Sequence, residues 1–212
     1  MTFVRKCFNI YEQMSKIQKN NLIEQLAAEN DGILFSLDTK AYGISRENLR
    51  QAVLNGIIEN IGYGVYALKD AVPDDSFILQ KKYNKAIFSH ETAGYFLGYT
   101  TRDPLVYCVT VPTGYNSTLL SLSNVKIYYS KEIRQNDIVE AKTMFNRTIR
   151  CFNIEKTICD LCSPRFNGDK DVALEIIKNY ARSDNKDISK LMSYAKYEKV
   201  KKAVSYYMEV LL

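Results

Sequence analysis

Arg46, Asn48, Arg50 and Gln51 stand within six residues of one another, and each ends in a planar group with several hydrogen-bonding atoms. Side chains of this kind make bidentate contacts to base edges in the major groove, which is the physical basis of reading a DNA sequence. Ser45 and the first free N–H groups of a helix starting there, together with Lys40, suit phosphate instead, and phosphate contacts orient a helix without reading sequence. The same pattern also describes a solvated surface helix in a protein–protein module, so the residues alone leave both uses open.

Three other groupings have chemical potential. Cys159-Asp160-Leu161-Cys162 has the spacing of half a zinc site. A second half is missing, because His90 is the single histidine and Cys7, Cys108 and Cys151 are scattered. Both cysteines are expected to pack beside Ile158 and Leu161. His90-Glu91 has the residue types of an acid–base pair, yet neighbours on a helix point about 100° apart and do not face each other. A structural hydrogen bond near a helix start is the expectation for His90. The third grouping is the tail, where Lys186, Lys190, Lys196, Lys199, Lys201 and Lys202 are interleaved with Tyr194, Tyr197, Tyr206 and Tyr207. Rings among lysines can stack on bases while the cations hold DNA or RNA phosphates, and helix packing explains the same residues equally well. No glycine-rich phosphate loop, nucleophile elbow or carboxylate metal set stands out. The reading is therefore no enzyme, no catalytic residue, no metal and no cofactor.

These residues need elements to position them. Leu22, Ile23, Leu26 and Ala27 recur at helical spacing, which predicts a helix over 15–29 ended by Asn30-Asp31-Gly32. Asp38 reads as the N-cap of a short helix through Ala41, with Gly43 as its exit. Ser45 then caps a helix over 46–55 that Gly56 closes. Leu49, Ala52 and Val53 share one side of it and leave Glu47, Asn48, Arg50, Gln51 and Asn55 turned away. Strands at Ile57–Ile61 and Val65–Leu68 flank Gly62-Tyr63-Gly64, the composition of a tight hairpin. That order is the order of a winged helix-turn-helix. Val72-Pro73-Asp74-Asp75 marks a boundary. Beyond it, helices are expected at Phe77–Tyr83 and, with Ser89 as its cap, through Leu97. Strands follow at Ala86–Phe88, Val106–Val111, Val125–Tyr129 and Ile138–Phe145, then helices at Ile154–Leu161, Asp171–Ala181, Ile188–Tyr194 and Glu198–Leu211. The predicted fold class is α+β, with a winged helix-turn-helix over 1–72 and a mixed α/β second domain over 76–212 that ends in helices.

Composition limits the setting. Hydrophobic side chains make up 46% of the 212 residues and charged ones 25%, enough apolar material for one large or two small cores. Met1 to Glu12 form no apolar leader, and no run approaches about 18 uncharged apolar residues, so a cytoplasmic protein without a membrane partner is expected. Five cysteines without framework spacing fit a reducing compartment. The net charge of +5 is unevenly spread: residues 1–75 carry 8 Lys+Arg against 10 Asp+Glu, and the rest 21 against 14.

Three stretches together resemble the abortive-infection antitoxin family AbiEi of type IV toxin–antitoxin systems. The first is the capped helix with Gly56 and Gly64-Val65-Tyr66. The second is Ser89-His90-Glu91-Thr92-Ala93 with Leu97-Gly98 and Val109-Thr110-Val111-Pro112. The third is Ile154-Glu155-Lys156-Thr157-Ile158-Cys159-Asp160-Leu161, where Lys156 replaces the family's arginine. Tyr63 and Asn60 stand in the wing where members often carry cations, and they complete the expected DNA-contacting set. The resemblance implies an autorepressor of its own operon, bound to double-stranded promoter DNA at inverted or direct repeats. It also implies phage defence, through a second domain that counteracts an AbiEii-like nucleotidyltransferase toxin without a stable complex. Two alternatives are an RNA- or nucleotide-acting enzyme using His90, Glu91 or Asp160, with the winged helix as a docking unit, and a plain transcription factor.

Overall fold

The computed structural model describes residues 16–211. Cys7, Ser15 and the stretch from Met1 to Glu12 lie outside them. The described residues form an α+β fold with eight α-helices and two β-sheets, and the chain divides into two compact units between Asp74 and Asp75. Among these residues no helix is long and apolar enough to cross a membrane.

The first unit runs α1 (Lys16–Ala28), β1 (Ile33–Phe35), a 3-10 turn (Asp38–Tyr42), α2 (Arg46–Leu54), β2 (Glu59–Gly62) and β3 (Val65–Ala67). Its three strands are antiparallel in the order β1-β3-β2. Ile23, Leu26 and Ala27 of α1 meet Leu49 and Ala52 of α2 over Leu34, Ile44 and Ile58, and all eight are buried. Removing a side chain of that size from water contributes about 1.5–3 kcal/mol, so this shared face holds the two helices in place. Strand β1 is absent from the sequence reading because three apolar residues carry no periodicity; it exists because β3 offers a free edge. The 3-10 turn also differs from expectation. Its N-cap position is Leu37, Asp38 lies inside the first turn, and no side chain caps it.

Gly56 ends α2 as expected, at φ 70. Its N–H bonds the Val53 carbonyl at 3.0 Å and the Ile57 N–H reaches back to Ala52 at 3.0 Å, the doubled closure of a Schellman exit. The strand expected from Ile57 therefore starts only at Glu59, since the Ile57 N–H is spent on the helix. At the hairpin, Gly64 has φ 70, and a Cβ there would stand 2.8 Å from Ser36 Oγ, so glycine is favoured on both counts.

The second unit contains α3 (Asp75–Lys82), β4 (Ile87–Phe88), α4 (His90–Phe96), β5 (Tyr107–Pro112), β6 (Val125–Ser130), β7 (Ile138–Lys142), β8 (Thr148–Phe152), α5 (Ile154–Leu161), α6 (Lys170–Arg182), α7 (Ile188–Tyr197) and α8 (Lys201–Leu211). Its mixed sheet has the order β6-β5-β4-β8-β7, with β4/β8 and β5/β6 parallel. Phe88, Val109, Val111, Ile149 and Cys151 form one core on it. Ile158, Ile177, Tyr180, Leu191, Val204 and Met208 form a second core among α5 to α8. The single strand predicted over Ile138–Phe145 is a hairpin: Asn146 turns left-handed at φ 61 and donates to the Thr143 carbonyl at 2.9 Å, which starts β8. The last helix starts at Lys201 rather than Glu198, because Lys199 adopts φ 60 and the Val200 N–H closes α7 onto Ala195 at 2.9 Å.

Candidate functional site

Two places in the fold carry concentrated polar chemistry. The first is the outer face of α2. Ser45, in extended conformation, accepts from the Asn48 N–H at 3.2 Å, while Asn48 Oδ1 accepts from the Ser45 N–H at 3.0 Å and from Ser45 Oγ at 2.9 Å. This is a capping box with asparagine in the position glutamate usually takes. The cap absorbs Ser45 and the Asn48 carbonyl, which leaves the two Nδ2 hydrogens of Asn48 outside it.

Arg50 and Gln51 both lie on the outer face and both donate to Glu47. Arg50 Nε and Nη2 each reach a Glu47 oxygen at 2.9 Å, and Gln51 Nε2 reaches Oε1 at 2.8 Å. Hydrogen bonds from Arg50 and then Gln51 hold the Glu47 carboxyl down to about 2. Sequence reasoning placed Glu47 on this face without giving it a role. The signal was present, since residues three and four apart on a helix are neighbours. Arg46 is exposed and has no ion-pair partner among the described residues. Lys40 is exposed in the 3-10 turn. At the hairpin, Asn60 Oδ1 accepts from the Gly62 N–H at 3.1 Å and so stabilises the bulge between Asn60 and Gly62. Tyr63 is 78% exposed at the tip.

The tail lysines are not equivalent. Lys190 pairs with Glu155 at 2.8 Å, and Lys186 bends back to the Ser183 carbonyl at 3.1 Å. Glu198, an acidic residue among the tail lysines, pairs with Lys156 of α5 at 3.1 Å. Lys196, Lys199, Lys201 and Lys202 are exposed. Two of the tail tyrosines are engaged within the unit: Tyr194 donates to Asp137 at 2.9 Å, and the Arg134 guanidinium lies 4.3 Å from the Tyr197 ring. Helix packing therefore accounts for those two, while Tyr206 is 65% exposed.

The second place is a cavity of about 960 Å³ within the second unit, whose wall includes His90, Tyr128, Lys156 and Asp160. His90 and Glu91 point apart. Glu91 accepts from Cys108 Sγ at 3.1 Å and from the Asp169 N–H. His90 Nδ1 lies 2.9 Å from Ser89 Oγ and its ring stacks on Tyr128 with centroids 3.6 Å apart. Ser89 makes no side-chain cap bond to α4, contrary to the expected cap, because its hydroxyl serves His90 and Thr110. Burial, then Lys156 and Lys126, push the His90 imidazole down to about 3. Lys156 is buried and bonds Asp160 Oδ1 at 2.6 Å. Burial opposes its charge, yet the Asp160 and Glu198 carboxylates hold its pKa above the ordinary lysine value. Burial pushes the Asp160 carboxyl up to about 6, and its Oδ2 is buried without a hydrogen-bond partner. Cys159 lies in the helical core and Cys162 at its edge, beside Ile158, and burial raises both thiols.

No protein-family model matches the chain, and no curated protein does. Among solved structures, the crystal structure of the RV2827C protein from Mycobacterium tuberculosis is similar, with a TM-score of 0.63 and 14% identity. The match covers 89% of this chain and 75% of that one. At that identity the likeness concerns the fold alone.

Proposed function

We propose that the chain is a sequence-specific DNA-binding regulator, in which the first unit is a winged helix-turn-helix, α2 its recognition helix and the β2–β3 hairpin its wing. One observation carries this reading. The outer face of α2 presents Arg46 and Arg50 to solvent, with Gln51 half-buried beside them, while Leu49 and Ala52 fix the opposite face in the core. A helix held this way can enter a major groove without unfolding anything. Arg50 and Gln51 read base edges, Asn48 contributes its amide hydrogens, and Arg46 and Lys40 hold phosphates.

The first unit is not basic, so the remaining phosphate contacts come from exposed lysines of the second: Lys196, Lys201 and Lys202. The resemblance to AbiEi antitoxins extends the proposal to repression of the protein's own promoter and to counteraction of a nucleotidyltransferase-like toxin encoded beside it. Co-expression with the adjacent open reading frame tests that extension. Growth rescue by the full chain and by residues 76–212, but not by 1–75, is the expected result. A harmless neighbour would remove the antitoxin role and leave a transcription factor.

A further inference from the structure

The cavity of the second unit takes no part in reading DNA, yet its wall is built around two hydrogen-bonding atoms that the protein itself leaves unused. Asp160 gives Oδ1 to Lys156 at 2.6 Å and keeps Oδ2 buried with no partner. His90 is 5% exposed, sits at φ 53, and bonds only through Nδ1. Ser89 Oγ accepts from Thr110 Oγ1 at 2.9 Å, which leaves its own hydrogen available to His90 Nδ1. A neutral imidazole that accepts at Nδ1 carries its proton on Nε2. In that arrangement the wall offers one N–H donor and one carboxyl oxygen.

The cavity also has exposed cations. Lys131, Arg165 and Lys199 line it, and none has an ion-pair partner among the described residues. Lys199 reaches its place through a left-handed backbone, φ 60, where glycine is the usual occupant of a helix exit. A volume of about 960 Å³ lies within the range of small-molecule sites.

We infer that this cavity binds a nucleoside phosphate, with a base edge between His90 Nε2 and Asp160 Oδ2 and the phosphate against Lys199 and Arg165. Every nucleobase carries a donor beside an acceptor on its pairing edge, which complements the wall. Arginine and lysine are the side chains that recognise phosphate. The ring of His90 lies nearly parallel to those of Tyr128 and Phe166, with centroids 3.6 and 5.9 Å away, and these contacts orient it before any ligand arrives. Binding here does not depend on the α2 surface, so it stands or falls separately from DNA recognition.

Calorimetric titration of the full chain with AMP, GMP, CMP, UMP, ribose 5-phosphate and inorganic phosphate tests the inference. Saturable one-to-one binding of at least one mononucleotide is expected, with ribose 5-phosphate weaker by about tenfold or more. Lys199→Gly suits the left-handed backbone, so its melting temperature should be unchanged or higher while nucleotide affinity falls about threefold or more. Asp160→Asn should change which base binds best, because an amide presents a donor where the carboxylate presents an acceptor. No saturable nucleotide binding, equal binding of ribose 5-phosphate, or unaltered affinity in a folded Lys199→Gly chain would overturn it. Should Asp160→Asn fail to fold, the Lys199→Gly titration decides alone.

Discussion

Arg50 holds Glu47 through two parallel hydrogen bonds of 2.9 Å, so the guanidinium best suited to read a guanine is already forked onto a carboxylate of its own helix. The pair is exposed, with side-chain accessibilities of 62% and 60%, and exposed ion pairs exchange partners at little cost. Glu47 stays ionised at neutral pH, and on a DNA-bound α2 its charge would repel the phosphate backbone. Glu47→Gln should therefore raise affinity for a duplex by roughly three- to tenfold, measured by fluorescence anisotropy at fixed salt. Unchanged or weaker binding would mean that Arg50 is not at the interface.

The cap of α2 predicts a stability effect separable from binding. Ser45→Ala removes a bond to the Asn48 N–H and should cost about 1 kcal/mol in urea unfolding. Asn48→Ala removes the reciprocal half of the same box. Because the two share one network, the double variant should lose clearly less than the sum of the singles. Additive losses would show that the reciprocal geometry does not persist in solution.

His90 makes the second unit sensitive to acid. Its pKa is depressed from 6.5 to about 3 by burial, then by Lys156 and Lys126. For a group depressed in the folded state, the stabilisation is complete above its unfolded pKa and is lost as pH falls toward the folded value. Below about 6.5 the wild-type chain should lose roughly 1.4 kcal/mol of stability per pH unit through this group. His90→Asn lacks that slope and tolerates the left-handed backbone. The stability gap between wild type and variant should narrow steadily from pH 6.5 toward pH 3, read from urea unfolding at each pH. A gap independent of pH would contradict the buried neutral imidazole.

Charge distribution predicts a dependence on salt. Residues 1–75 carry 8 basic against 10 acidic side chains, so that fragment alone has few phosphate contacts to offer. It should bind the operator far more weakly than the full chain, and with a salt slope shallower by about 0.9 for each lost phosphate contact. Lys196→Glu with Lys202→Glu in the full chain should move both quantities toward the fragment's values. Lys190 should matter less to DNA, since Glu155 already holds it.

The legible parts of this molecule were those specified by local chemistry. Ser45 and Gly56 bracket α2 as read from sequence, because a cap hydroxyl and a left-handed exit act within one helical turn. The elements that were missed depend on distant partners or on residues that break the usual rule. β1 forms against β3, about thirty residues away in register, from a segment too short to show a period. β8 was hidden because Asn146, not glycine, makes the left-handed turn before it, and the start of α8 was misread because Lys199 does the same. The candidate surface was visible as a set of residue types, but its internal bonding was not. Glu47 gathers Arg50 and Gln51, and Asn48 joins the cap, through side-chain choices that spacing permits without dictating. The cavity was invisible, since His90 and Lys156 are 66 positions apart in the chain and meet only through the sheet and α5.

The most direct test is a gel shift of the full chain on the duplex upstream of its own gene at low ionic strength, repeated with Arg50→Ala and Gln51→Ala. A discrete complex is expected that a scrambled duplex fails to displace, with each substitution eroding discrimination at one base position by about 1–3 kcal/mol. No complex, or equal displacement by the scrambled duplex, would contradict a base-reading α2.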